Sequence, residues 1–219
     1  MTKVITFKKT TMIRNITLSI LILLAFALPA SAQSVKGPIP FDNMFGFAWD
    51  VNFPVGNDFL DKTSLYGFKL EYRRGIKHNF SVGTEIAWNS YYQYVPRTTY
   101  QLKDGAITTD LYKYIYTLPL AVNAHWYFSG GKMFYPYAGL ALGATYSEQD
   151  LYYNTYVTEV DNWGFLIRPE IGAIIKPSEH SGFGILVGAR YSYSTNKEDD
   201  FKIDGLKSVG LQLGVVFMQ

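Results

Sequence analysis

Residues 65–73 alternate between two kinds of side chain. Aromatic and aliphatic residues fill the even positions from Tyr66 to Tyr72, whereas glycine and charged residues fill the odd positions from Gly67 to Arg73. A period of two predicts a β-strand whose two faces meet different environments. In a soluble sheet the aromatic face would form the core. In a transmembrane barrel it would meet lipid, and the charges would face the interior.

The same alternation recurs along the chain and predicts eight strands, with no helix after residue 32. The expected strands are 44–53, 65–73, 80–88, 111–128, 134–146, 163–176, 183–194 and 206–217. Short connections alternate with long ones, which are 54–64, 89–110, 147–162 and 195–205. Short periplasmic turns that alternate with long external loops are typical of outer-membrane barrels.

The two faces of these strands differ in charge. One face has no charged residue and holds all four tryptophans, which we expect to form an aromatic belt: Trp49, Trp88, Trp126 and Trp163. The other face holds eleven glycines, which make room in a narrow lumen, and nine charged residues. We predict that these nine form a lumen charge network: Asp50, Lys69, Glu71, Arg73, Glu85, Lys113, Arg168, Glu170 and Arg190. Because a Lys or Arg that faces lipid costs about 2–4 kcal/mol, the pattern favours an all-β, eight-stranded antiparallel, up-and-down transmembrane β-barrel.

Residues 1–32 are predicted to be a cleaved signal peptide, with Met1 or Met12 as its start. Four basic residues precede an apolar run from Ile16 to Leu28, and the small residues 30–32 form a cleavage site. The run has 13 residues. A spanning helix needs about 20 residues, so the run is too short to anchor the chain.

The rest of the chain is predicted to be an N-terminal periplasmic lead-in at 33–43 and the barrel at 44–219. Without residues 1–32 the chain has 16 basic and 18 acidic residues, so its net charge is 16 − 18 = −2. The basic pI belongs to the precursor and gives no reason to expect a nucleic-acid partner. The chain has no cysteine, which excludes a lipid-anchored cysteine and a disulfide framework.

Two stretches resemble a known family. Tyr135-Pro-Tyr-Ala-Gly-Leu-Ala-Leu-Gly-Ala-Thr-Tyr146, with Leu118-Pro119-Leu120 before it and a turn at Gly130-Gly131, resembles the strand signature of small Gram-negative outer-membrane β-barrels of the OmpA, OmpX and OmpW type. The last strand resembles the assembly signal read by the barrel insertion machinery, although two residues follow its final aromatic: Val209, Leu211, Leu213, Val215 and Phe217. The resemblance covers 41–219. It implies an integral outer-membrane location in contact with lipid and lipopolysaccharide, but no particular activity.

Three functions remain open. The expected one is a structural or surface-interaction role through the external loops, with the lumen plugged by paired charges. The alternative is a narrow channel for small or hydrophobic solutes, as OmpW-like barrels are thought to provide. The third is a lipid A-modifying enzyme, for which the nearest constellation is His125 with Ser129 or Asn123, against a purely structural histidine. We expect no catalytic residue and no cofactor.

The remaining candidates are histidines and tyrosines. His78, His125 and His180 map to the short turns, but no carboxylate has ligand spacing, so no metal site is predicted. Tyrosines crowd the long segments and form either part of the aromatic belt or an external binding surface, of which 89–110 is the best candidate. They are Tyr91, Tyr92, Tyr94, Tyr100, Tyr152, Tyr153 and Tyr156.

Overall fold

Eight antiparallel strands close into a barrel in sequence order, with β1 paired to both β2 and β8. They are β1 (Asn43–Pro54), β2 (Ser64–Lys77), β3 (Phe80–Leu102), β4 (Gly105–Tyr127), β5 (Phe134–Tyr153), β6 (Tyr156–Ile175), β7 (Phe183–Glu198) and β8 (Ile203–Met218). The computed structural model describes residues 39–57, 59–77, 79–102, 105–128, 132–199, 201 and 203–219. The predicted signal peptide therefore lies outside the described residues. The predicted fold class is confirmed.

The faces of the strands are arranged as their alternation predicts. Phe47 and Trp49 on β1 lie opposite Leu70 and Phe68 on β2, and these side chains are 40–51% exposed. Lys69, between two of them, is 0% exposed. An exposed apolar wall around a buried charged interior is the reverse of a soluble barrel and suits a hydrocarbon environment. The described residues include no helix long and apolar enough to cross a membrane.

The expectation of long loops at 89–110 and 147–162 is wrong, because strand covers 89–102, 105–110, 147–153 and 156–162. The β3–β4 pairing continues up to Leu102 opposite Gly105, and the β5–β6 pairing continues up to Tyr153 opposite Tyr156. The second hairpin turns at Asn154, whose φ of 52° is a conformation that asparagine tolerates. Beyond the apolar wall both faces carry polar and aromatic residues. The contrast that identified the other strands is therefore lost from the sequence.

These extensions stand above the rest of the barrel. The pairing of β2 with β3 ends at Phe68 opposite Trp88, and the pairing of β6 with β7 ends at Leu166 opposite Ser194. Four strand segments therefore continue without backbone pairing to those neighbours. We call them the raised sheet, which consists of 89–102 of β3, 105–117 of β4, 147–153 of β5 and 156–162 of β6.

Candidate functional site: a closed lumen and a raised sheet

Eight charged side chains fill the middle of the barrel. None is more than 5% exposed, and every one makes at least one ion pair. Buried charges are tolerated when they are paired and hydrogen-bonded, and four of each sign leave this set neutral. We call it the charge network: Lys69, Arg73, Arg168 and Arg190 with Asp50, Glu71, Glu85 and Glu170.

Glu170 on β6 connects opposite walls of the barrel. Its Oε1 lies 3.0 Å from Nη2 of Arg73, and its Oε2 lies 3.4 Å from Nζ of Lys69, both on β2. The same two cations each lie 3.0 Å from Oε2 of Glu71. Since β2 and β6 are not neighbours in the sheet, these contacts cross the lumen.

Two more ion pairs bring side chains of β1, β3 and β7 into the network. Nη1 of Arg168 donates to Oε1 of Glu85 at 2.8 Å, and its Nε donates to Oγ of Ser192 at 2.9 Å. Arg190 of β7 pairs with Asp50 of β1. The network therefore includes side chains from β1, β2, β3, β6 and β7.

Lys113 was predicted to join this network but lies elsewhere. Its Nζ lies 5.1 Å from the centre of the Phe59 ring, at the mouth of the barrel, and it forms none of the described ion pairs. The side chain of Lys113 faces inward, as the alternation along β4 indicates, but it lies nearer the mouth of the barrel than the other eight charged side chains. Without Lys113 the lumen charges balance.

Glycine makes the close approach of these side chains possible. A Cβ on Gly46 would lie 2.9 Å from Cγ of Glu71, and a Cβ on Gly139 would collide with the imidazole of His125. Both glycines face inward, so each one gives a long polar side chain the room that a methyl group would occupy.

His125 contacts the charge network and does not lie in a surface site. It is fully buried, its Nε2 lies 2.7 Å from Oε1 of Glu170, and its ring meets Tyr137 edge-on. Asn123 donates to Glu85 at 3.2 Å and not to His125. Ser129 lies outside the described residues. These contacts are those of a structural histidine.

The short-turn end of the lumen is closed by an apolar plug. Ile39 and Phe41, just before β1, are each 4% exposed and pack among inward-facing residues. The Phe41 ring meets Tyr127 edge-on at 5.8 Å, and the backbone N–H of Asp42 donates to the carbonyl of Gln219 at 2.7 Å. The end of the predicted lead-in therefore lies inside the barrel mouth. Besides Ile39 and Phe41, the plug contains Met44, Ala48, Tyr127, Tyr135, Tyr137, Ile174, Leu186, Val216 and Met218.

The opposite end is closed by an apolar cap. The β1–β2 connection turns inward because Oδ1 of Asn57 accepts the backbone N–H groups of Phe59 and Leu60 at 2.9 and 3.3 Å. Those two side chains are 6% and 1% exposed. A small cavity, lined in part by Leu60, Tyr91 and Arg168, lies between the cap and the charge network. The cap consists of Phe59, Leu60, Tyr91, Ile115 and Ile203.

The four tryptophans lie on the outer wall at two heights. Trp49 and Trp88 both lie beside Phe68, and Trp163 lies opposite Tyr146 near the base of the raised sheet. Trp126 lies at the other end of the apolar wall, beside Phe80. These positions fit interfacial rings at two membrane boundaries.

The candidate tyrosines divide between the two sides of the raised sheet. Tyr91 is 7% exposed and lies in the cap, so it is not available to an external partner. Tyr92, Tyr94 and Tyr152 are 43–46% exposed on the outer face. Tyr100 pairs with Ile107 near the tip of the β3–β4 hairpin, and the remaining two, Tyr153 and Tyr156, stack on each other at 5.8 Å at the β5–β6 turn.

Six tyrosines form a continuous row of rings on the outer face of β3, β4 and β5. Centroid distances of 5.0 Å for Tyr92 and Tyr114, 5.1 Å for Tyr94 and Tyr112, and 5.7 Å for Tyr114 and Tyr152 link it across the strands. Sequence reasoning placed three of the six, Tyr92, Tyr94 and Tyr152, in the candidate binding surface, and it assigned the other three to the predicted strand 111–128. We call this row the tyrosine ladder: Tyr92, Tyr94, Tyr112, Tyr114, Tyr116 and Tyr152.

Four carboxylates that sequence reasoning missed lie beside the ladder. Glu148 faces Asp161, and Asp150 faces Glu159, across the β5–β6 ladder. Tyr114 and Tyr116 of the tyrosine ladder lie opposite Asp150 and Glu148 on the other side of β5. The signal in the sequence is the pair of acids at alternate positions on each strand. We call these four the acidic patch.

The described side chains provide no evident metal centre. No group of three histidine, cysteine or acidic residues among them is arranged to hold a metal ion. His180 is exposed in the β6–β7 turn, His125 is buried in the charge network, and His78 lies outside the described residues.

A closed antiparallel barrel with an apolar wall, interfacial tryptophans and a charged interior defines an integral membrane β-barrel. The family model for the outer membrane protein beta-barrel domain matches residues 18–218, and the chain belongs to that family. The protein is therefore an integral outer-membrane protein in contact with lipid and lipopolysaccharide, as the resemblance implies.

A solved structure supports the same fold. The chain is similar to Neisserial surface protein A, with 12% identity, 80% of this chain and 97% of that chain covered, and a TM-score of 0.54. Ail of Yersinia pestis, solved with the heparin analogue sucrose octasulfate, has 17% identity, coverages of 80% and 95%, and a TM-score of 0.44. OprG of Pseudomonas aeruginosa has 14% identity, coverages of 84% and 98%, and a TM-score of 0.44. These identities show the fold alone, and the two lower scores support no argument. A search of curated proteins gave no match.

Proposed function

We propose that the protein is a non-conducting outer-membrane scaffold that presents its raised sheet and adjoining loops to partners at the cell surface. The observation that supports this proposal is that buried side chains of described residues occupy the lumen at three levels, which are the apolar plug, the charge network and the apolar cap. A solute would have to pass all three.

Opening any of these levels is costly. Separating buried ion pairs leaves uncompensated charges, which costs about 3–5 kcal/mol for a pair. The plug and cap would each expose aromatic and aliphatic side chains that are now at most 7% exposed. A polar channel of the same width would instead need a water-filled path lined by accessible charges.

The proposal places the raised sheet outside the cell. Outer-membrane barrels have short periplasmic turns and long external hairpins, and here the long hairpins β3–β4 and β5–β6 share one end. Both ends of the barrel chain, Asn43 and Met218, then lie at the periplasmic side, as export and insertion by the barrel machinery would require. Cleavage after residue 32 is part of the same proposal, and the mass of the exported protein tests it.

Planar-bilayer conductance of the refolded chain 33–219 tests the closed lumen. We expect no discrete current steps from protein that is shown to be folded by its heat-sensitive migration on gels. Steps that change in size in Arg168→Gln, but not in a Lys197→Gln control, would replace the scaffold with a channel. Arg168 is buried in the network, whereas the Lys197 side chain is 63% exposed in an ion pair with Asp204.

The lipid A-modifying alternative has no supporting contact. A lipid-processing base must reach the acyl chain, but His125 faces inward and binds Glu170. We expect His125→Ala to leave the lipid A composition of the cell unchanged. A changed composition, restored by the native protein, would reopen the enzymatic alternative.

A further inference from the structure

The acidic patch has no cationic partner within the described part of the protein. Its four carboxylates take part in none of the described ion pairs. Instead they form two like-charged cross-strand pairs, Glu148 with Asp161 and Asp150 with Glu159. Like charges directly opposite each other destabilise a sheet. The native fold therefore retains a repulsion that a bound cation would relieve.

Asp150 gives an independent sign of a missing partner. Its side chain faces outward with the patch, yet the residue is only 6% exposed, and its Oδ1 has no hydrogen-bond partner. Burial and the nearby Glu148 and Glu159 raise the pKa of Asp150 above its ordinary value. A buried acceptor without a donor is costly. A donor that reaches this oxygen from outside would remove that cost.

The tyrosine ladder adds a second kind of recognition for the same ligand. Its rings lie directly beside the carboxylates, because Tyr114 is opposite Asp150 and Tyr116 is opposite Glu148. Tyr92, Tyr94 and Tyr152 remain 43–46% exposed. Tyrosine faces attract Lys and Arg through cation–π contacts, and the planar guanidinium of Arg also stacks on them. Rings and carboxylates therefore favour the same chemistry.

We propose that the tyrosine ladder and the acidic patch form one docking surface for a basic polypeptide segment, rich in arginine or lysine, outside the membrane. This inference rests on the proposed surface-interaction role and names the chemistry of the partner. The segment would place its cations between the paired carboxylates and over the exposed rings. A simple divalent-metal site is disfavoured, since no described group of three side chains is arranged to hold a metal ion.

A labelled oligoarginine peptide tests the proposal against the full barrel in nanodiscs of zwitterionic lipid. Fluorescence anisotropy would measure its affinity at low and high salt. Neutralising the patch should weaken binding at low salt by about tenfold or more, and high salt should weaken binding to the native protein. The patch variant carries Glu148→Gln, Asp150→Asn, Glu159→Gln and Asp161→Asn. Replacing Tyr92 and Tyr114 by leucine should weaken binding by roughly two- to fivefold through lost cation–π contacts.

A matched control removes the same number of carboxylates from the same end of the protein. We expect this control to bind the peptide as the native protein does. It carries Asp61→Asn, Glu198→Gln, Asp199→Asn and Asp204→Asn. The patch variant should fold at least as well as the native protein because it removes repulsion, and heat-sensitive gel migration would verify this.

Four results would overturn the proposal. The folded patch variant could bind like the native protein, or the control could lose as much affinity as the patch variant. Millimolar Mg²⁺ could abolish binding beyond the effect of sodium chloride at equal ionic strength, which would assign the patch to a divalent ion. Binding that ignores salt and depends only on the tyrosines would indicate a neutral ligand such as a sugar.

Planar-bilayer conductance of the same protein separates this inference from the scaffold proposal. A silent barrel that does not bind the peptide would remove the basic partner and leave the scaffold. A conducting barrel that binds the peptide through the patch would remove the closed lumen and leave the docking surface.

Discussion

Replacing Glu170 by glutamine is the most direct perturbation of the charge network. The substitution keeps the size of the side chain but removes one of the four buried negative charges. Arg73, Lys69 and His125, at 3.0, 3.4 and 2.7 Å, would lose their contact with the Glu170 carboxylate. The lumen would then hold one uncompensated positive charge.

The remaining contacts set the magnitude. Breaking a buried pair from one side costs about 3–5 kcal/mol. Arg73 and Lys69 both keep Glu71 at 3.0 Å, and the new amide oxygen can still accept one hydrogen bond. We therefore expect Glu170→Gln to lower the free energy of unfolding by about 3 kcal/mol, at the lower end of that range.

Urea unfolding of the barrel in vesicles, followed by tryptophan fluorescence, would measure this loss. Asp204→Asn is the matched control, because it removes a carboxylate from the exposed pair with Lys197, whose side chains are 63% and 85% exposed. Exposed pairs contribute about 0–1 kcal/mol, so the control should change stability little.

A second substitution tests whether charge balance is the cause. Adding Lys69→Met to Glu170→Gln restores a neutral lumen, so the double variant should be more stable than the sum of the two single losses predicts. The reasoning is refuted if Glu170→Gln unfolds like the control, or if the two losses simply add.

Three further predictions use the same unfolding assay. Tyr91→Ala should cost about 3–5 kcal/mol because it empties the buried cap, whereas Tyr92→Ala, on the exposed face, should cost about 1 kcal/mol or less; equal losses would contradict the assignment of the two faces. The raised pKa of Asp150 means that the folded state holds this proton more tightly than the unfolded state, so the contribution of Asp150 to native stability should fall as the pH rises from 3.8, the ordinary pKa of this carboxyl group, through the raised pKa. Asp150→Asn should remove that loss, so the difference in unfolding free energy between this variant and the native protein should change over the same pH range. A difference that does not change with pH would oppose the argument. Gly139→Ala should cost about 1–3 kcal/mol, because its methyl group would displace the imidazole of His125, and an unchanged midpoint would show that the imidazole can move freely.

The wall of the barrel could be predicted from the sequence because neighbouring residues meet opposite environments there. Phe68 and Leu70 had to differ in kind from Lys69, since one face meets hydrocarbon and the other meets paired charges. A period of two survives in the sequence wherever that contrast holds. Strand number, fold class and the inward set of charges follow from it.

The raised sheet could not be predicted in the same way, because beyond the lipid both of its faces tolerate polar and aromatic residues. Tyr91 and Tyr92 are identical neighbours in the sequence, yet one lies in the cap and the other on the outer face. Only the strand register separates them. Lys69 and Glu170 are 101 residues apart, and their contact depends on the strand register that brings both side chains to the same level of the barrel. Lys113 shows that the alternation alone does not predict at which level an inward-facing side chain lies.

The distribution of charge links the closed interior to the outer surface. The charge network is neutral, so it contributes nothing to the net charge of −2 expected for residues 33–219. The excess negative charge therefore belongs to residues outside the charge network. The acidic patch holds four carboxylates without a described ion-pair partner, and it lies on the sheet that rises furthest from the lipid. Within the charge network each charge is matched by another side chain of the same protein, whereas for the acidic patch we propose that the matching charge comes from a partner.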